Sequence, residues 1–312
     1  MPKLHRIAAA VLLLSAFAAH AAPVPRERVQ AVADAISGHY FDPARGKAIA
    51  DDLRRDAATG AYDALAPQAL ADTLTARLRP LDRHFRVRWN GDGDPAPTTP
   101  PGPRRPPAPI NHGIATVETL PGNIGHLRLS QFAHFEPGDT DAPARTAIDA
   151  ALAQLSGTRA MIVDLRGCRG GSPSMVGYLA SAFAAPDADI YNTFRTRSQT
   201  LSEAPVRPHA SPRTTVPLYV LVDGGTASAA ESFAYTLHNA RRATVIGERS
   251  AGAANPGAMI DIGQGFSVFV SDGTPVSPIT HTNWEATGIT PDVPVPSSQA
   301  LDEALRLART SR

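Results

Sequence analysis

Two stretches of one grammar constrain this chain more than anything else in it: a short apolar run ends in a glycine turn and opens directly into a helix. The longer of them, V-P-L-Y-V-L-V-D-G-G-T-A-S-A-A-E, runs from Val216 to Glu231. Its segment Val216 to Val222 is short, rich in β-branched residues and bounded by glycine, the pattern of a strand buried on both faces. Asp223, Gly224 and Gly225 break that strand, and from Ser228 onward A-A-E-S-F-A-Y-T-L-H carries apolar residues at helical spacing. The earlier stretch repeats the pattern: a strand from Ala160 to Leu165, a glycine turn, Ser172 as N-cap and Pro173 at the first helical position. A third apolar run, Ala243 to Glu248, closes a β-α-β unit behind the Ser228 helix. Strands that alternate with helices predict an α/β fold with a largely parallel sheet covered by helices. Both glycine turns then lie at one carboxyl edge of that sheet.

A hydroxyl at the Ser228 corner is exposed beside helix N-terminal amides, which suits a nucleophile whose attack creates an oxyanion. Ser228 and Glu231 also form a capping-box pattern, in which the same two residues merely satisfy free amides. The Ala229 amide lies next to the hydroxyl, and Gly170 or Gly171 offers a side-chain-free amide from the other corner as a second oxyanion donor. A serine needs a histidine or lysine within hydrogen-bond reach. The lysines are Lys3 and Lys47, both far from these motifs in sequence, so the base is a histidine. His238 lies about 15 Å along the helix at the usual rise and cannot serve. His84 in D-R-H-F and His281 in H-T-N-W-E remain. With an unperturbed histidine, activity falls below about pH 6.5. Cys168 is the single cysteine, which excludes a disulfide and a cysteine-rich metal site; set in a glycine turn between Arg166 and Arg169, it reads as a turn filler rather than a thiol nucleophile.

The remaining chain frames this core. Residues 1–21 have a charged start, an apolar run and an A-H-A end at Ala19 to Ala21, which predicts a signal peptide and an exported, periplasmic or secreted protein with no membrane span once it is removed. Residues 22–90 predict a small N-terminal helical domain of about three helices, ending in a half-buried strand in which Phe85, Val87 and Trp89 alternate with arginines. Residues 91–110 are a proline-rich linker and 111–312 the α/β core. The net charge of +1, without a basic stripe, argues against nucleic-acid partners.

The segments V-D-L-R-G-C-R-G-G, V-D-G-G-T-A-S-A-A-E, V-I-G-E-R-S-A-G-A-A-N-P and N-W-E-A-T-G-I-T-P-D-V-P-V, in this order and spacing, resemble the tail-specific (C-terminal processing) serine protease family. The similar branch is that of interphotoreceptor retinoid-binding protein and the tricorn core protease. The resemblance implies a crotonase-like core, hydrolysis of peptide or protein substrates, Ser228 as nucleophile and His84 as base. It further implies Gly170 and the Ala229 amide as oxyanion hole and Glu285 as the supporting carboxylate, with no metal or cofactor. Relatives with a Ser-Lys pair carry a lysine where Ala253 stands here, which agrees with the lysine census and points to a Ser-His-Glu type. Arg83 replaces the serine that precedes the histidine in the tricorn-like arrangement, leaving Asp82 or Glu285 to orient His84. The stretch from His84 to Asn123 is too short for a PDZ domain. A non-catalytic binding module for an apolar ligand or peptide is the alternative use of the same fold. Acyl-CoA chemistry, a third use, conflicts with the export signal.

Overall fold

The computed structural model describes residues 25–91 and 110–311, so the signal segment 1–21 and nearly all of the proline-rich linker lie outside the described residues. Helices α1 (Pro25–His39), α2 (Pro43–Ala58) and α3 (Pro67–Leu78) occupy the segment whose periodicity predicts about three. Each begins at a proline, whose fixed φ suits a first helical turn and whose missing amide is not needed there. At the break before α2, the Asp42 carboxylate accepts the Arg45 amide at 3.0 Å and caps the helix. Strand β1 (Arg86–Trp89) follows, with Val87 buried and Arg86 and Arg88 exposed.

After a 3-10 turn at Ile110–Gly113 come β2 (Ile114–Leu120), β3 (Ile124–Leu129), α4 (Pro143–Gln154), β4 (Ala160–Asp164), α5 (Pro173–Ser181), β5 (Thr193–Thr196) and β6 (Thr200–Ser202). Then follow β7 (Leu218–Val222), α6 (Ala229–Asn239), β8 (Thr244–Gly247), β9 (Gly257–Gly263), β10 (Phe266–Ser271), β11 (Gly273–Val276), β12 (Val293–Pro294) and α7 (Ala300–Thr310).

The central six-stranded sheet has the order β12-β8-β7-β4-β3-β2, parallel except for the antiparallel edge strand β2. Every residue of β4 and β7 is buried, as their unbroken apolar runs predict. On one face α4, α5 and α6 cover Met161, Val163, Val220 and Val245; on the other, α7 lays Ala300, Ala304 and Ala308 against Ile162, Leu221 and Ile246. Small residues on α7 let its backbone lie close to the sheet. Fully burying each large aliphatic side chain contributes roughly 1.5–3 kcal/mol, so these strands are the stable frame of the molecule.

Of the strands in the two other sheets, β1 is the one that the sequence pattern predicts. A three-stranded antiparallel sheet, β1-β10-β9, packs against α1 to α3. Phe85 and Val87 from the N-terminal segment share one cluster with Phe266, Val268 and Val270 of β10. The N-terminal helices are therefore closed by a hairpin more than 170 residues downstream in the sequence. A second small sheet, β11-β5-β6, lies alongside.

Candidate active site

The two glycine corners sit side by side and are stitched together. Thr226 Oγ1 donates to the Leu165 carbonyl at 2.9 Å, the Gly167 amide to Asp223 Oδ1 at 2.9 Å, and the Ala227 amide to the Cys168 carbonyl at 3.0 Å. Ser228 follows with φ 55° and ψ −123°, a conformation that non-glycine residues avoid. Such strain costs on the order of 1–3 kcal/mol and persists only where the surroundings impose it. Gly170, at φ +105°, is the nearest wall: a Cβ there would stand 2.7 Å from Ser228 Cβ and 2.9 Å from the Ala229 nitrogen. Gly171 faces elsewhere, since a Cβ on it would run into the Phe132 carbonyl, with which this turn forms a β-bridge. As the first residue of α6, Ala229 has no carbonyl one turn back to receive its amide.

Glu231 carries more than a cap. Its fully buried carboxylate accepts the Ser228 amide at 2.9 Å, while the return contact to the Ser228 hydroxyl is the looser half of the box. It also accepts the Ser250 hydroxyl at 2.6 Å and the amides of Gly252 and Ala253 at 2.7 and 2.9 Å. The next two amides of this strap, Ala254 and Asn255, donate to Glu285 Oε2 at 2.8 and 3.1 Å. Four consecutive amides thus tie the serine corner to Glu285. Asn283 fixes that residue in turn, its Oδ1 accepting the Glu285 amide at 2.8 Å.

His84 meets Glu285 from the N-terminal segment. Its Nδ1 lies 3.2 Å from Asp82 Oδ1 with hydrogen-bond geometry and 3.3 Å from Glu285 Oε1 as an ion-pair contact. Asp82 also accepts the His84 backbone amide at 2.9 Å and the Tyr40 hydroxyl at 3.2 Å. Both proposed orienters therefore converge on one ring nitrogen. The hydrogen bond to Asp82, then the contact with Glu285, push the His84 pKa up to about 9 against the opposing effect of burial. Burial by itself would raise Asp82, but the His84 ring and backbone hydrogen bonds outweigh it and hold the carboxyl below its ordinary value. An activity limb near pH 6.5 is thereby corrected: that value belongs to an isolated imidazole, not to one facing two carboxylates. Asp82, His84 and Glu285 also place a ligand atom each within 4.8 Å of one another, close enough to chelate a divalent cation in place of the proton.

Among the described residues, no hydrogen bond joins the Ser228 hydroxyl to a histidine ring. His281 is exposed and has no carboxylate contact; its neighbour Thr280 bonds Tyr235, two turns along α6 from Ser228. His238 pairs with Asp292 at 2.9 Å and Lys47 with Asp51 at 2.6 Å. Cys168 is fully buried, and burial pushes its thiol up to about 11 despite a hydrogen bond from the Gly170 backbone. A cavity of about 310 Å³ opens beside Asp82, Arg83, Asn283 and Glu285.

The model of the family described as Peptidase family S41 matches residues 123–295, more than half of the sequence. The chain belongs to peptidase family S41. This S41 chain is 29% identical over 205 residues to carboxyl-terminal-processing peptidase 2, chloroplastic, of Arabidopsis thaliana, covering 59% of this chain and 35% of that one. It is 30% identical over 178 residues to the carboxyl-terminal-processing protease of Synechocystis sp., covering 56% and 39%. It therefore spans little more than a third of the length of these curated relatives. Its fold is similar to that of the photosystem II D1 C-terminal processing protease, with TM-score 0.54, 19% identity and coverage of 92% of this chain and 98% of that one. A lipoprotein from Streptococcus agalactiae shares the fold with TM-score 0.56 at 15% identity, over 93% and 97% of the two chains.

Sequence reasoning missed the tertiary load on Glu231 and the parts played by Ser250 and Asn283. The S-x-x-E spacing marks Glu231 as a cap, but its other partners lie about twenty residues downstream with no periodic signal.

Proposed function

We propose that the protein is an exported serine peptidase of the Ser-His-Glu type that acts on peptide or protein chains. The observation that carries this reading is Ser228 itself, held in a strained strand-to-helix corner hard against Gly170. In the proposed reaction His84, neutral at Nε2 while its Nδ1–H faces Asp82 and Glu285, accepts the Ser228 proton as Oγ attacks the peptide carbonyl. The Ala229 and Gly170 amides receive the oxyanion. The Gly170 amide otherwise rests on the Cys168 sulfur, a weak acceptor that an oxyanion displaces. His84 then returns the proton to the leaving amine. The acyl-enzyme is cleared when water attacks, passing its proton to His84, and Ser228 is reprotonated as the acid product leaves. Neither a metal nor a cofactor takes part. The curated relatives are named for carboxyl-terminal processing, which supports a substrate cut near its C-terminal end. The A-H-A end of residues 1–21 supports export and cleavage after Ala21.

A fluorophosphonate probe tests the nucleophile. Covalent labelling of the wild type, abolished in Ser228→Ala with the fold intact by circular dichroism, is the expected result. Absence of labelling together with saturable binding of an apolar ligand would instead establish the binding-module reading.

A further inference from the structure

Gly170 donates an amide to the proposed oxyanion, yet a glycine does little to limit its own rotation. The aim of that amide is therefore set by what holds the turn after it. Phe132, just beyond β3, holds the turn with backbone alone: its amide donates to the Gly170 carbonyl at 2.9 Å, and its carbonyl accepts the Ser172 amide at 2.8 Å. Gly171 lies so close to the same carbonyl that a Cβ there would stand 2.1 Å from it.

Two residues further along, this strap adds a side chain. Ser172 stands at the N-cap position of α5, where a serine hydroxyl ordinarily accepts an amide of the first turn. Here it makes no such bond. The hydroxyl, on a residue only 7% exposed, turns instead to His134 Nδ1 at 3.1 Å. The other ring nitrogen, Nε2, lies 3.1 Å from Glu136 Oε1. With Nε2–H donated to Glu136 the tautomer is fixed, and Nδ1 accepts the Ser172 proton. Forgoing a helix cap is unfavourable. What the hydroxyl gains by it is a tie between the start of α5 and the strap that holds the oxyanion corner.

We propose that His134 is a positioning residue: through Ser172 it locks the Gly170–Gly171 turn in the orientation that donates to the oxyanion, and Glu136 orients the ring that does so. The inference rests on the peptidase reading. His134 acts through Ser172 rather than on the reacting atoms. Its effect falls on the transition state, because the oxyanion exists only there and a turn that has rotated away still admits the substrate. Loss of the tie should lower the rate of bond making at Ser228 and leave ground-state binding unchanged.

Phosphonylation of Ser228 by a fluorophosphonate reads this step, because the phosphoryl oxygen of the probe takes the oxyanion position. Saturation of the labelling rate separates binding of the probe, KI, from the covalent step, kinact. His134→Ala and Ser172→Ala should each lower kinact on the order of tenfold, with KI and melting temperature near wild type. The double variant should fall no further than either single one, since all three remove the same tie. His134→Asn, whose Oδ1 can stand where Nδ1 stood, should recover most of the rate. Hydrogen exchange in the Ser228→Ala protein tests the tie without chemistry: the amides of residues 170–172 should exchange faster in His134→Ala, and His134→Asn should restore their protection. Unchanged kinact in His134→Ala, an equal loss in His134→Asn, or additive losses in the double variant overturn the proposal. So does a weaker KI or a marked fall in melting temperature that accompanies the slower rate, which would make the residue merely structural. A wild type that takes no label sinks the peptidase reading, and the exchange measurement then decides whether His134 holds the corner.

Discussion

His84 shows how far one residue's behaviour depends on what surrounds it. Asp82 and Glu285 approach the same ring nitrogen at 3.2 and 3.3 Å and hold its pKa up at about 9. In the proposed mechanism the base must be neutral to accept the Ser228 proton, so kcat/KM should rise through pH 8 and level off only above about pH 9. In Asp82→Asn that limb should move down toward the ordinary value of about 6.5, and the plateau should fall by roughly a hundredfold as the ring loses its orienting partner. A wild-type limb near 6.5 would show that the carboxylates do not act on His84. The same linkage governs stability. A folded pKa above the unfolded one stabilises fully below about pH 6.5, and that contribution is lost as pH rises through about 9, which thermal melts at a series of pH values will follow. The sequence offered His84, Asp82 and Glu285 as candidates, but the convergence of two carboxylates on one nitrogen is not written in D-R-H-F or N-W-E.

Among the elements, the paired strand-turn-helix corners are the part most fully anticipated by local pattern, and they separate two neighbouring residues by role. Gly170→Ala should lose on the order of a hundredfold or more in turnover, because the new Cβ meets Ser228 and the Ala229 nitrogen at a backbone φ of +105°. Cys168→Ser should keep turnover near wild type at a cost of roughly 1–3 kcal/mol in stability, since a buried hydroxyl replaces a buried thiol. The native thiol, held up to about 11 by burial, should resist alkylation at neutral pH. Steady-state kinetics and denaturant melts of the two variants rank them, and the reverse ranking would place the chemistry on the thiol. The capping box leaves room for the proposed nucleophile role. Glu231 holds the Ser228 backbone, which leaves the hydroxyl for other work.

At the level of the whole molecule, the N-terminal segment and the C-terminal hairpin form one body. Val87 of β1 pairs in register with Val268 of β10, and Phe266, Val268 and Val270 are buried against α1 to α3. A chain beginning at residue 110 should therefore expose these side chains and lose His84 together. We expect it to be insoluble, or expanded with strong binding of a hydrophobic dye, whereas residues 22–312 remain monodisperse. A well-folded 110–312 fragment by circular dichroism and thermal melting would show that the hairpin does not need the helices.

Helix and strand identity at α1 to α3, α5, α6, β1, β4, β7 and β8 was readable because each rests on short-range periodicity and turn chemistry, to which a few neighbouring residues respond alike in any context. Val220 has to be buried whatever it meets. Pairings such as β1 with β10, His84 with Glu285 or Glu231 with the Gly252–Ala253 amides join segments that no local rule links. Both Ser228 readings, cap and nucleophile, fit S-A-A-E, and on that stretch alone the cap is the commoner use. The strained φ and ψ and the contact with Gly170, which favour the second, arise only when two distant corners are stitched into one sheet edge. Sequence by itself thus determined the layers and named the reactive candidates. Which of them meet, and with what charge, was decided by the packing that brings them into a shared low-dielectric space, where a few ångströms change a pKa.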